Sequence, residues 1–92
     1  MTKQDIVNEI SRKTGIEKVT VMSTVEAMME TIKDNMAKDK NVYLRGFGTF
    51  EVKKRAKKTA RNISKNTTII IPEHFIPKFK PSKEFVQKVK AE

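Results

Sequence analysis

The hydrophobic positions of this chain change period once, near Asn41. Before that point they recur at helical spacing. Ile6, Val7 and Ile10 follow Thr2, which with Asp5 three residues on has the form of a capping box. Gly15 supplies a left-handed stop. The spacing predicts a first helix over residues 3–14. From Lys18 to Lys38, Met22, Val25, Met29, Ile32 and Met36 step by three and four, and Val21 and Met28 widen the stripe. This is the pattern of an amphipathic helix of about twenty residues. Lys33 and Lys38 sit near its end, where cations suit the helix dipole. The tight connection between the two helices predicts a helical hairpin.

After Asn41 the period falls to two. Val42 to Arg45 reads as a strand, Gly46-Phe47-Gly48 as a turn, and Thr49 to Lys53 as a second strand running on into a polar stretch. Thr67 to Ile71 is β-branched throughout and reads as a returning strand. Phe75, Ile76 and Phe79 carry a last strand, and Pro72 and Pro77 confine their neighbours to edges or bulges. Pro81-Ser82 opens a short helix with Phe85, Val86 and Val89 on its apolar face. The order predicts an α+β fold with helices segregated from an antiparallel sheet.

The 92 residues suffice for one small domain. A core this small is commonly completed by a partner chain. Met22, Val25, Met29, Ile32, Met36, Leu44, Phe47, Phe50 and Phe79 are the candidates for the core and the dimer interface. Residues 1–41 form the helical part and 42–81 the sheet. An arm projects at about 53–71, and 82–92 form the last helix. Between Val52 and Ile69 the only apolar residues are alanines and Ile63, so the hairpin there cannot bury itself and is expected to project into solvent.

Charge sharpens this picture. Residues 1–41 hold seven Lys/Arg and seven Asp/Glu, whereas residues 42–92 hold thirteen and four, so the whole excess of +9 lies in the second part. The densest stretch carries Lys53, Lys54, Arg55, Lys57, Lys58, Arg61 and Lys65 and no acid. A cationic cluster confined to one segment points to a polyanionic partner. With no cysteine there is neither a disulfide nor a thiolate zinc site, and His74, the one histidine, cannot build a metal centre alone. No metal or cofactor is expected. Gly46-Phe47-Gly48 lacks the following helix of a phosphate-binding loop, and no nucleophile–base constellation stands out, so an enzyme is not expected. No segment has the apolar length of a signal peptide core or a membrane span, which reads as a soluble, unprocessed chain.

The runs RGFGTFEVKKRAKKTARN (Arg45 to Asn62) and IIIPEHFIPKFKPSKE (Ile69 to Glu84) resemble the HU/IHF family of bacterial DNA-bending proteins, and the order of elements matches along essentially the whole chain. The resemblance implies an intertwined homodimer whose two β-ribbon arms wrap duplex DNA through the minor groove. It also implies binding with low sequence specificity, bending and compaction, and residence in the nucleoid of the bacterial cytoplasm. The arm residues implied to contact DNA are Lys53, Arg55, Lys57, Lys58, Arg61, Asn62 and Lys65. On the body, Lys3, Lys80, Ser82 and Lys83 are implied to face phosphate at helix N-termini. The family usually has Arg-Asn-Pro at the arm tip, with the proline as wedge between base pairs. Here Arg61-Asn62 is followed by Ile63, which falls on the wedge position and is apolar, bulky and stiff. Ala60 stands where glycine is common, and Ser64-Lys65-Asn66 replaces a glycine-containing turn.

Two alternatives stand beside this reading. One is a site-specific IHF-type subunit of a heterodimer. The other is an RNA-binding module, with weak RNA binding also conceivable for the DNA binder. The stretch Lys53 to Thr68 has no aromatic platform, which favours a reader of duplex grooves. A membrane partner is not expected, because the two long helices together carry no net charge.

Overall fold

A computed structural model describes residues 1–56, 58–62 and 67–91, and for 58–62 and 67–71 the backbone alone. The chain divides into two units, Met1–Asn35 and Met36–Glu92.

In the first unit, α1 spans Lys3–Thr14. Its start is a complete capping box: the Asp5 N–H donates to Thr2 Oγ1 at 3.2 Å, and the Thr2 N–H donates to Asp5 Oδ2 at 2.9 Å. Gly15, at φ 77°, ends the helix and donates its N–H to the Ser11 carbonyl at 2.9 Å. The connection is pinned by Ser11 Oγ, which donates to the Ile16 carbonyl at 2.6 Å. Thr2→Ala is expected to lower stability by about 1 kcal/mol, read from thermal or urea unfolding. The Thr2 backbone N–H, and then its side chain, hold the Asp5 carboxyl below the ordinary carboxylate range. A depressed carboxyl contributes stability that is present above its unfolded pKa and lost as pH falls through the folded value. Asp5→Asn should therefore be less stable than wild type at neutral pH, with the gap closing below about pH 4. A gap independent of pH would remove the charged half of the cap.

The second helix, α2, spans Lys18–Ala37. It ends one residue short of the expected Lys38, because Asp39 takes a left-handed φ of 62° and its N–H donates to the Met36 carbonyl at 3.0 Å. Val7 on α1 is fully buried and Val21 on α2 nearly so. Met22, Val25 and Ile32 are half-buried, but Met29 is 41% exposed. Met29, a candidate for the core or the dimer interface, therefore stands open on the single chain. The stripe on α2 is wider than one short helix can cover.

The second unit holds β1 (Val42–Leu44), β2 (Gly48–Arg55), β3 (Lys58–Asn62), β4 (Thr67–Ile71), β5 (His74–Pro81) and α3 (Lys83–Lys90). The strands β1, β2 and β5 form an antiparallel sheet in that order, and β3 and β4 form a separate antiparallel ribbon. The first strand stops at Leu44, and Arg45 belongs to the turn, which the Phe47 N–H closes onto the Leu44 carbonyl at 2.9 Å. Gly46 takes φ 80° there, while Gly48 already lies in β2. Leu44 and Phe50 are half-buried. The Phe79 ring centroid lies 5.2 Å from Phe47, 4.9 Å from Phe50 and 5.9 Å from Phe85. These tilted contacts form the core of the unit. Phe47 remains 45% exposed, so it caps the cluster from outside. Ser82 Oγ accepts the Phe85 N–H at 3.1 Å and caps α3, and the Ser82 N–H ties the cap to the Phe47 carbonyl at 2.9 Å.

Candidate nucleic-acid interface

The register of β2 against β5 decides where the cations go. Phe50 pairs with Phe79, Val52 with Pro77 and Lys54 with Phe75. Side chains alternate between faces along a strand, so these positions share the apolar face. The opposite face carries the pairs Thr49–Lys80, Glu51–Lys78, Lys53–Ile76 and Arg55–His74, with Tyr43 of β1 beside Thr49. Lys53, Arg55, Lys78 and Lys80 are all exposed on it. Four cations thus lie on one side of the β2–β5 pair, spaced two residues apart on each strand. Contact with the Lys53 ammonium holds Lys78 below the ordinary lysine range, and Arg55 acts in the same sense. Lys54 leaves this face and pairs with Glu73 at 2.8 Å.

Strand pairing shows how the stretch expected to form the arm starts. Pairing of β2 with β5 continues to Arg55–His74, past the Gly48–Phe50 stretch that β1 also pairs, so Lys53 and Arg55 lie where the sheet has narrowed to two strands. The ribbon proper pairs Lys58 with Ile71 through Asn62 with Thr67. Pro72 and Glu73 interrupt the return, since proline offers no N–H to a ladder. Lys58, Arg61 and Asn62 lie on β3 of this ribbon. Lys57, Ile63 and Lys65 fall outside the described residues.

The body residues divide. Lys80 and Lys83 are exposed. Lys3 is not a free cation: its Nζ lies 3.2 Å from Glu26 Oε1. The Ser82 hydroxyl is committed to the α3 cap. An open groove of about 510 Å³ runs past Tyr43, Arg45, Thr49, Glu51, Lys80 and Ser82. Among the described residues no group of acids and histidine is placed to hold a metal ion. Sequence reasoning did not place Lys78 and Tyr43 on this face. The signal for Lys78 was the alternation Lys78–Lys80 on β5 matching Lys53–Arg55 on β2, which acquires meaning only with the register.

Fold and charge together define an α+β protein that offers a cationic sheet face, continued by a two-stranded ribbon, to a polyanion. The bacterial DNA-binding protein family matches residues 1–90, and the chain belongs to that family. It is 39% identical over 90 residues to the DNA-binding protein HU of Thermotoga maritima, covering 98% of this chain and 100% of that one. To the HU of Thermus thermophilus it is 38% identical, covering 98% and 93%. An Anabaena HU solved in a cocrystal with DNA superimposes with a TM-score of 0.93 at 30% identity over the full length of both chains. The Thermotoga maritima HU structure gives a TM-score of 0.69 at 28% identity, covering 97% and 98%. No helix among the described residues is long and apolar enough to cross a membrane.

Proposed function

We propose that the protein is an architectural DNA-binding protein of the bacterial nucleoid. It binds duplex DNA with low sequence specificity, bends it and compacts it. The observation that carries this reading is the single-sided array of Lys53, Arg55, Lys78 and Lys80 leading into the β3–β4 ribbon, in a fold shared with an HU that was crystallised with DNA. Phosphate contacts of this kind supply affinity without sequence information. The chain acts as a binder and not as an enzyme, working in the cytoplasm. It acts as a homodimer, because Val7 and Val21 are the only buried apolar side chains among the described residues, while Ile6, Met28, Met29 and Phe47 are exposed. A second copy gives these surfaces a place to go.

In this reading Lys57, Lys58, Arg61, Asn62 and Lys65 hold the minor groove, and Ile63 is the apolar wedge at a kinked step. The test is end-to-end fluorescence transfer on a doubly labelled duplex of about 35 base pairs, a length that leaves flanks on either side of a bent site. Wild type should shorten the end-to-end distance. Ile63→Ala should bind with little loss of affinity yet shorten it much less. Binding without shortening by wild type would leave a basic coat on DNA and remove bending from the account.

A further inference from the structure

We infer that Met22, Met29 and Met36 of α2 form a modification site. Their thioethers take oxygen from a hydroperoxide, and the sulfoxides so formed keep two chains from pairing. This rests on the homodimer reading and adds a chemical step that reverses it.

Four of the five methionines of the chain lie on α2. Three of them, Met22, Met29 and Met36, recur at every seventh residue, with Val25 and Ile32 between them. Alternating steps of three and four are those of a seam by which one helix meets another. A thioether thus stands at every second position of the seam. The seam is open on the single chain: Met29 is 41% exposed, and its neighbour Met28 is 49% exposed. Met22 and Met36 are half-buried. The chain has no cysteine, so no thiol of its own competes for an oxidant.

The step balances within itself. A sulfur lone pair attacks the terminal oxygen of the hydroperoxide, and the S–O bond forms as the O–O bond breaks. Sulfur gives up two electrons. The peroxide is reduced, and its other oxygen collects the hydroxyl proton and leaves as alcohol or water. The product is a polar, chiral sulfoxide in place of a flexible apolar side chain. Under a second chain each sulfoxide oxygen is withdrawn from water, and Val25 and Ile32 beside it have no side-chain donor to offer. In a two-fold dimer each position enters the interface twice, so the penalty falls on both sides. One such polar group raises the dimer dissociation constant by roughly 5- to 150-fold. Pairing covers the seam, so the free chain is the reactive form and oxidation traps subunits as they exchange. Met1 supplies the contrast: it is 88% exposed but lies outside α2, so its oxidation leaves pairing alone.

The experiment treats three dilute proteins with hydrogen peroxide, each compared with its own untreated form. They are wild type, Met28→Leu, and the triple variant Met22→Leu, Met29→Leu, Met36→Leu. Peptide mass spectrometry locates the added oxygen, sedimentation equilibrium gives the dimer dissociation constant, and far-UV circular dichroism confirms folding. Met29→Leu alone, expected to lose part of the response, serves where the triple variant does not fold. Wild type should gain oxygen on the seam, with its dissociation constant raised roughly 5- to 150-fold or more. Met28→Leu should do the same. The triple variant should gain oxygen only at Met1 and Met28 and keep its own dissociation constant. Methionine sulfoxide reductases acting on both epimers should restore the wild-type dimer. An oxidised seam with an unchanged dissociation constant, equal weakening in the triple variant, or a seam that gains no oxygen overturns the site while the homodimer stands. Untreated wild type that sediments as a monomer overturns the homodimer reading as well.

Discussion

Raising the salt concentration from about 50 to about 200 mM lowers the affinity of this protein for duplex DNA by roughly 10³- to 10⁵-fold, if about six to ten phosphates are neutralised by a dimer. Each lysine or arginine that meets a phosphate releases condensed counterions, and the entropy of that release shrinks as bulk salt rises. The available cations are countable. Lys53, Arg55, Lys78 and Lys80 share the polar face of the sheet, and Lys58 and Arg61 lie on the ribbon strand β3. Lys3 and Lys54 are engaged with Glu26 and Glu73 and must exchange those partners first. Lys53→Ala should therefore reduce the slope of log affinity against log salt more than Lys54→Ala does, although the two are adjacent in sequence. Measuring both slopes on one duplex by fluorescence anisotropy decides the matter. Equal slopes for the two variants would mean that the sheet face does not select among cations and that contact is made through the ribbon alone.

Replacing Gly48 by alanine is the substitution expected to cost most stability. A Cβ at Gly48 would stand 2.6 Å from the Lys80 carbonyl oxygen and 2.6 Å from both Cε1 and Cζ of Phe79. Non-bonded carbon atoms prefer about 3.5–4.0 Å. The carbonyl belongs to the paired strand β5, at the end of the ladder where Gly48 meets Pro81. The ring cannot step aside cheaply either, because it is wedged among Phe47, Phe50 and Phe85. Relief requires separating β2 from β5 or displacing the aromatic cluster, which costs about 1–3 kcal/mol. For a chain of this size that lowers the melting temperature by roughly 5–20 °C. Gly15→Ala is the control: it meets the strain of φ +77° but nothing within 4 Å of the new atom, so it should cost only about 1 kcal/mol. If Gly48→Ala melts no lower than Gly15→Ala, the close approach of β2 to β5 is not what requires glycine there.

The parts of the fold that were legible in sequence are those decided locally. Thr2, Asp5 and Gly15 fix the ends of α1 through hydrogen bonds spanning three or four residues, and the expected 3–14 boundaries match. Thr67 to Ile71 and the Ser82 cap are local in the same sense, and both stand where expected. What stands beside Lys53 and Arg55 was not legible, because it depends on a non-local fact, namely that β5 reaches back along β2 to Arg55. Nothing near Lys53 in the sequence encodes that His74 and Lys78 return beside it. Periodicity on α2 identifies side chains that require cover but does not say what covers them. Met29 is the instance: apolar, on the stripe, and exposed in the single chain. The wedge position rests on sequence, since Ile63 lies outside the described residues.

Among the described residues β5 is an outer strand of its sheet, and it carries Pro77 at its middle with Lys78 and Lys80 beyond. An outer strand is where one protein molecule can zip onto another by backbone pairing. A protein crowded along DNA meets its own copies, and Phe75 is exposed on that same strand. Proline withholds an N–H from any strand that would add there, and two like-charged side chains would face their counterparts across the new seam. The same proline and lysines thereby keep the strand from seeding fibres.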